Sequence, residues 1–541
     1  MRPRRVPIGG PVVHPTTGAD SARRRQPGDA RPARRPQKRR SVRGDRPSDV
    51  NEFRSEPVSS SRPRRGRGGR TVPSVVPSTV AVLLLPLLAG CFVDTEKPEL
   101  ALDVPGRYVE GRGTAEVGPA LDWWRGFRSG ELTRLMEEAQ TSNLDIAAAV
   151  ARIMQADAQA RVAGALLLPA LSGAGSATRT RSAGAASGSG ISTERSLYST
   201  SLSASYELDF WGKNRAGQLA ADEIAVATRF DRDTVALTAM ASVGNAYFQL
   251  VAAQDRLRIA RDNLAAANRI LSLIRERFAA GTANSLDVSQ QESLVATIRA
   301  NLPAFEITIR QNVATLAVLV GRTPEHFAVK GGTLDAVAVP RIAPGLPSDL
   351  INQRPDIRAA EAQLVAANHS VEQARASFFP SIRLTGQNGV QSAALASLFG
   401  PGAWFYTAAA SLSQPIFDGG ALLGQLEGSQ GRQLESLQLY RRAVINGFAD
   451  VERALVALKQ QTERERLQTA AVRAAREAFS ISEQRLREGI VDFVTVLNTQ
   501  QTLFTAQDVL VQVRLARLLA AVSLYQALGG GWPPRIGGNP A

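Results

Sequence analysis

The sequence predicts a membrane protein of mixed α and β structure, made as two copies of one unit. Four strands per chain join those of two further copies in a barrel of about 12 strands, and long helices continue that barrel as a coiled-coil tube. Three observations carry the expectation. Motifs recur at a near-constant offset of 208 to 211 residues. The segment Leu197 to Phe210 alternates between apolar and polar side chains over a bilayer's worth of strand. Two proline-free stretches, 213–280 and 421–488, read as helices far longer than any compact globule needs.

Composition sets the outer limits. Of 541 residues 44% are hydrophobic but only 6% aromatic, and long segments are dominated by Ala, Leu, Gln, Glu and Arg, as in extended helices. The single cysteine, Cys91, excludes an internal disulfide, and His14, His326 and His369 are too scattered for a Cys/His metal site. The net charge of +15 is local. Residues 1–70 hold 20 Lys+Arg against 6 Asp+Glu, whereas the remaining chain holds 44 against 43. Residues 1–61 therefore read as a disordered basic extension, either an arm for nucleic acid or acidic lipid or an upstream extension from a misassigned start. Secretion would remove this arm, so no nucleic-acid partner is expected.

Residues 62–90 have the layout of a secretory signal: RPRRGRGGR at 62–70, then an uncharged stretch ending in TVAVLLLPLLAG. That apolar run is shorter than the roughly 20 residues a spanning helix needs, and Pro86 interrupts it. Its end, Leu88-Ala89-Gly90-Cys91, resembles a bacterial lipobox. The resemblance implies cleavage before Cys91, a covalent lipid on its thiol, and 91–130 as a lipidated N-terminal segment. No other cofactor is expected. Phe92, in place of an aspartate, fits sorting to the outer membrane.

Next come the copies, 131–344 and 345–532, followed by a short tail, 533–541. Leu168-Pro169-Ala170-Leu171 matches Phe379-Pro380-Ser381-Ile382, Arg277-Phe278 and Gly281 match Arg485-Leu486 and Gly489, and Leu319-Val320-Gly321 matches Ala527-Leu528-Gly529. Each copy opens with a helix, 131–166 or 355–378, the second with Pro355 in its first turn, and Pro169 and Pro380 stop them. A strand pair follows. In the first copy Tyr198, Thr200, Leu202, Ala204, Tyr206, Leu208 and Phe210 share one face, and Ser199, Ser201, Ser203, Ser205, Glu207 and Asp209 share the other. A bilayer strand needs about 9–11 residues with this alternation, and serine at four successive inward positions suits a wet lumen better than a protein core. The strand at 170–182 is mostly Gly, Ala and Ser and is found through its mate at 381–389.

The long helices come next, closed by Gly281 and Gly489 as C-terminal caps, and return helices run over 285–320 and 493–528. Met240, Val243, Tyr247, Leu250, Gln254, Leu257, Arg261 and Leu264 step by three and four, the 3.5-residue period of a coiled-coil seam. The polar Gln254 and Arg261 either set register or face a wet interior. Four strands cannot close a barrel, and lipid does not tolerate open edges, so the chain must share its barrel with copies of itself.

Asp122-Trp123-Trp124, Tyr206-Glu207-Leu208-Asp209-Phe210-Trp211-Gly212, Arg277-Phe278-Ala279-Ala280-Gly281, Arg354-Pro355-Asp356-Ile357-Arg358, Ala376-Ser377-Phe378-Phe379-Pro380 and Pro415-Ile416-Phe417-Asp418-Gly419-Gly420 stand in one order along residues 91–532. In this the chain resembles the outer-membrane efflux proteins, the TolC-like family, in the lipoprotein branch typified by OprM and NodT. The resemblance implies a homotrimeric exit duct with no catalytic residue and no metal. It would be lipid-anchored in the outer membrane through Cys91 and would reach across the periplasm. A periplasmic adaptor and an inner-membrane pump dock at the tip and drive drugs or other small solutes outward. Arg277, Gly281, Leu286, Arg485, Gly489 and Val494 are the expected adaptor contacts. At the periplasmic constriction this sequence has Leu497-Asn498-Thr499-Gln500 where the family pattern is Leu-Asp-Ala-Gln. Asn498 would narrow the pore without charging it, unless the nearby Asp492 substitutes. Asp287 and Glu292 are further candidates for the tip. Three other functions compete with this one: the exit duct of a type I protein-secretion system, a soluble coiled-coil scaffold, and a nucleic-acid binder.

Overall fold

Two helices have 67 residues each, about 100 Å long at 1.5 Å per residue. The computed structural model describes residues 102, 104–110, 120–183, 192–342, 344–345 and 347–530. These all belong to the second of two compact units, Thr79–Ala541. Cys91, the basic extension, the signal segment, most of 91–130, and Leu346, Gly531 and Trp532 lie outside the described residues.

The first half runs α1 (Gly130–Ser142), α2 (Leu144–Gly164), β1 (Ala170–Arg181), β2 (Glu194–Leu208), α3 (Lys213–Ala279) and α4 (Ser285–Leu319). A short α5 (Pro347–Gln353) leads into the second half: α6 (Pro355–Ala376), β3 (Ser381–Ser392), β4 (Trp404–Ser413), α7 (Ala421–Arg487) and α8 (Phe493–Ala527). The long helices and their return helices end within a residue of the expected limits, and α4 and α8 are 35 residues each.

Each turn from a long helix into its return helix is closed by a glycine in the left-handed region, Gly281 at φ 75° and Gly489 at φ 76°. Both turns make the same bond pair: Thr282 N–H donates to Arg277 O and Gly281 N–H to Phe278 O, as Ile490 does to Arg485 and Gly489 to Leu486. This is the Schellman arrangement, in which two orphan helix carbonyls find donors.

The expected single helix over 131–166 is instead two. Asn143 leaves the helical region at ψ 128°, and its side-chain oxygen accepts from the N–H groups of Asp145 and Ile146, capping α2. Its amide also donates to Leu319 O at 2.7 Å, tying the break to the end of α4. Local capping competes with helix continuation here and wins.

The main core lies midway along the long helices. Trp123, Phe127, Leu132, Leu135 and Met136 pack against α3 and α8 around Phe248, Leu250 and Val522. Trp123 stacks on Tyr525 at 4.9 Å, and Phe127 meets Phe248 at 5.0 Å. The segment after α4 is held against this core through its backbone. Glu131 accepts from Lys330 and Gly331 N–H, Gln254 from Gly332 N–H, and Asp255 from Leu334 N–H. Gln254, polar at a seam position, thus fixes this segment, while Arg261 pairs with Glu306 of α4 at 3.1 Å. Both polar seam positions have specific partners within the chain.

Candidate functional site: two sheet faces and two helical turns

Among the described residues the four strands form one antiparallel sheet in the order β1-β2-β3-β4, so β2 pairs with β3 and the outer edges of β1 and β4 are open. Paired residues in an antiparallel ladder project to the same side, so the register decides how the two faces are composed. Leu171 pairs with Ala204, Ala204 with Gly386 and Gly386 with Ala408. On that face stand Tyr198, Leu202, Tyr206 and Leu208 of β2, Ile382 and Leu384 of β3, and Trp404, Tyr406 and Leu412 of β4. On the opposite face Ser172 pairs with Ser203, Ser203 with Gln387 and Gln387 with Thr407. The alternation seen in β2 therefore continues in register through β3 and β4, apart from Phe405 on the polar side, while β1 adds mainly Gly, Ala and Ser, giving one largely apolar face and one largely polar face.

The apolar face carries aromatics at both ends. Tyr198, Trp404 and Tyr406 lie at the hairpin end, and Tyr206 lies at the end joined to the helices, eight residues, or about 26 Å of strand, from Tyr198. Trp404 and Tyr406 are exposed, at 61% and 68%. The apolar face has one amide, Asn388, whose side-chain oxygen accepts from the Trp404 indole N–H at 3.0 Å. The polar face is laced by hydroxyl and amide contacts, Ser176 with Ser199 at 2.9 Å and Gln387 to Ser201 at 2.9 Å. At its helix end Glu207 lies between Lys213 and Arg383.

Each strand-to-helix junction is organised by an aspartate. Asp209 accepts from the N–H groups of Asn214 and Arg215, and Asp418 from those of Gly420 and Leu422. The bonds from Leu422 and Gly420 hold the Asp418 carboxyl below the usual carboxylate range. The strand therefore ends at Leu208 rather than Phe210, because Asp209 is already committed to capping α3. Trp211 fastens the two halves here, donating to Pro380 O at 2.8 Å and stacking on Phe379 at 4.7 Å.

At the far end the two turns lie side by side. The Arg277 guanidinium donates to Leu486 O at 2.7 Å, so one expected contact residue is first of all a tie between the hairpins. Gly281, Arg485 and Gly489 are exposed, and so are Leu286 (60%) and Val494 (46%), which present apolar surface on the first turns of α4 and α8. Asn498 is exposed one turn further along α8. Asp492 is the N-cap of α8, held below the usual carboxylate range by the hydroxyl and N–H of Thr495. Asp287 forms a capping box with Asn284, and Glu292 pairs with Arg275 at 2.6 Å. These three carboxylates are each occupied within the chain.

Two polar clusters join motif residues to partners distant in the sequence. Gln291 and Gln500, both fully buried, meet between α4 and α8 at 3.3 Å. Gln500 stands in the Leu497-Asn498-Thr499-Gln500 motif, but nothing local in the sequence marks Gln291 as its partner. Arg354 joins three helices through Asp356, Asp450 and Ala527 O. Among the described residues no group of three or more His, Cys, Asp or Glu is placed to hold a metal ion. The one helix there that is long and apolar enough to cross a membrane, 213–279, is 72% buried in its apolar window, as a packed helix is.

Comparison with known proteins agrees with this geometry. The family described as "Outer membrane efflux protein" matches residues 135–322 and 346–530, that is, both halves. The pyoverdine export outer membrane protein OpmQ of Pseudomonas aeruginosa is 40% identical over 455 residues, covering 82% of this chain and 95% of that protein. The toluene efflux pump outer membrane protein TtgC of Pseudomonas putida is 33% identical over 462 residues, covering 83% and 95%. Among solved structures, the open state of the MtrE outer membrane channel of Neisseria gonorrhoeae superposes with a TM-score of 0.72 at 28% identity, covering 81% of this chain and 97% of that one.

Proposed function

This chain belongs to the outer membrane efflux protein family and is an outer-membrane component of an efflux system, and from that premise we propose that three copies close a single passive duct. The observation that carries the proposal is the pairing of two in-register sheet faces with two open sheet edges. Each unpaired backbone group in hydrocarbon costs several kcal/mol, so β1 of one copy must pair with β4 of the next. Three copies supply twelve strands, a workable barrel size. The apolar face then meets lipid and the serine face lines a watery lumen. The helices from the three copies continue that lumen through the periplasm, and passage needs no catalysis by this chain. Single-channel recording of the purified protein tests the duct: discrete conductance steps support it, and a protein that inserts without conducting counts against it.

A periplasmic adaptor and an inner-membrane pump complete the system. The adaptor meets the exposed turns at Gly281 and Gly489, with Leu286 and Val494 as apolar contacts and Arg277 and Arg485 at the margin. The cargo is a class of small organic solutes. The two relatives named for pyoverdine and toluene favour this over a polypeptide cargo. At the constriction, Asn498 narrows the pore and leaves it uncharged. Asn498→Asp is expected to raise cation preference in bilayer recordings, because a ring of three carboxylates attracts cations; unchanged ion selectivity would place the constriction elsewhere. A lipid on Cys91 anchors each chain beside the barrel. Cys91→Ser is expected to abolish acyl labelling, and normal labelling of that variant would remove the anchor from this picture.

A further inference from the structure

Charge in the sheet is confined to its two ends. No Asp, Glu, Lys or Arg occurs between Arg195 and Glu207, between Arg383 and Asp418, or from 182 to 193. The helix end has Glu207 balanced by Lys213 and Arg383. The hairpin end has Arg179, Arg181 and Arg195 against Glu194 alone, an excess of cations that no neighbouring loop residue offsets.

The register separates these cations. Ala177 pairs with Tyr198 and Arg181 with Glu194, so Arg179 and Arg181 continue the apolar face just beyond its outer aromatics, while Arg195 falls on the serine face. Arg179 is 73% exposed and pairs with Glu194 at 3.1 Å. Among the described residues, Arg181, also exposed, makes only a 3.5 Å contact with Ser192. Two guanidiniums therefore stand side by side on the lipid-directed face, one step outside the tyrosine and tryptophan side chains that favour the headgroup level. The one carboxylate at this end, Glu194, pairs with Arg179.

We propose that Arg179 and Arg181 bind the phosphate groups of a phosphorylated lipid in the outer leaflet. A guanidinium suits this ligand because its planar fork gives a phosphate two parallel N–H bonds. The contact pins the rim of the sheet at a fixed depth in the membrane. The proposal rests on the sheet spanning the membrane as a shared barrel.

The test uses the full-length protein extracted in detergent, with retained lipid counted by native mass spectrometry. The probes are lipid A bearing two phosphates and the same lipid dephosphorylated. Wild type should retain the phosphorylated form preferentially, and the double variant Arg179→Gln, Arg181→Gln should retain it roughly tenfold less. Glu194→Gln, which frees Arg179, should retain more than wild type, and a gain cannot come from misfolding. Equal retention of the two probes by wild type, or equal retention by wild type and the double variant, would overturn the proposal. Single-channel recording of the same samples separates the two ideas: a failed lipid site leaves conductance intact, whereas a failed barrel abolishes conductance in wild type as well.

Discussion

Replacing Arg354 with leucine is expected to cost about 2–3 kcal/mol of stability, somewhat below the usual loss for one member of a buried ion pair, since its partners keep some solvent. Arg354 precedes α6 and is only 9% exposed. Its guanidinium donates to Asp356 at 2.9 and 2.6 Å, to Asp450 of α7 at 3.3 Å, and to Ala527 O at the end of α8 at 3.1 Å. Burial opposes its charge, yet the two carboxylates hold its pKa above the ordinary arginine value. Leucine fills the space but takes the guanidinium from both aspartates, leaving Asp450 with Arg453 and Asp356 with the Ile357 N–H, and leaves a terminal helix carbonyl without this donor. Arg354→Lys should recover little, because one ammonium cannot span three acceptors set around a planar fork. Thermal melting of the helical circular-dichroism signal in detergent measures both variants. A leucine variant that melts with wild type would show that this junction is not held by the ion network.

The second large effect is expected at Gly389 of β3. A Cβ there would lie 2.3 Å from Thr200 O and 2.7 Å from Ser201 Cα, both backbone atoms of β2. Neither can turn aside, so the central strand pair must part, at a cost on the order of 3 kcal/mol. Gly386, on the same strand, has nothing within 4 Å of a Cβ. Gly389→Ala should therefore sharply reduce the fraction of protein that runs as a heat-modifiable assembly on gels, and Gly386→Ala should leave it near wild type. Equal behaviour of the two variants would mean that close β2–β3 contact does not limit assembly.

These two sites show what a linear reading reaches. The helix limits were legible because Pro355, Gly281 and Gly489 punctuate the chain locally, and helix termination is decided within a turn or two. The face pattern of β2 was legible because alternation is a property of one strand. Strand β1 was visible only through its mate β3, since Gly, Ala and Ser carry almost no pattern. Asn143 interrupts the first helix by a side-chain cap that competes with an apolar stripe running on through it. Arg354 and Asp356 were visible as part of a motif, but the ligands that give them meaning are 96 residues away at Asp450 and 173 residues away at Ala527. Gly389 has no signal at all in one dimension, because what it avoids is the backbone of another strand. At the tip, sequence spacing found the turns and their glycines, whereas the Arg277 bond to Leu486 depends on two hairpins meeting across 209 residues.

The proposed duct rests on an open four-stranded sheet being closed by other copies of the chain. The mass of the assembly extracted from outer membranes in mild detergent, measured by native mass spectrometry, tests that most directly. Three chains per particle, falling to one only when the sheet melts, is the expected result. A particle holding one or two chains that still conducts in a planar bilayer would contradict it.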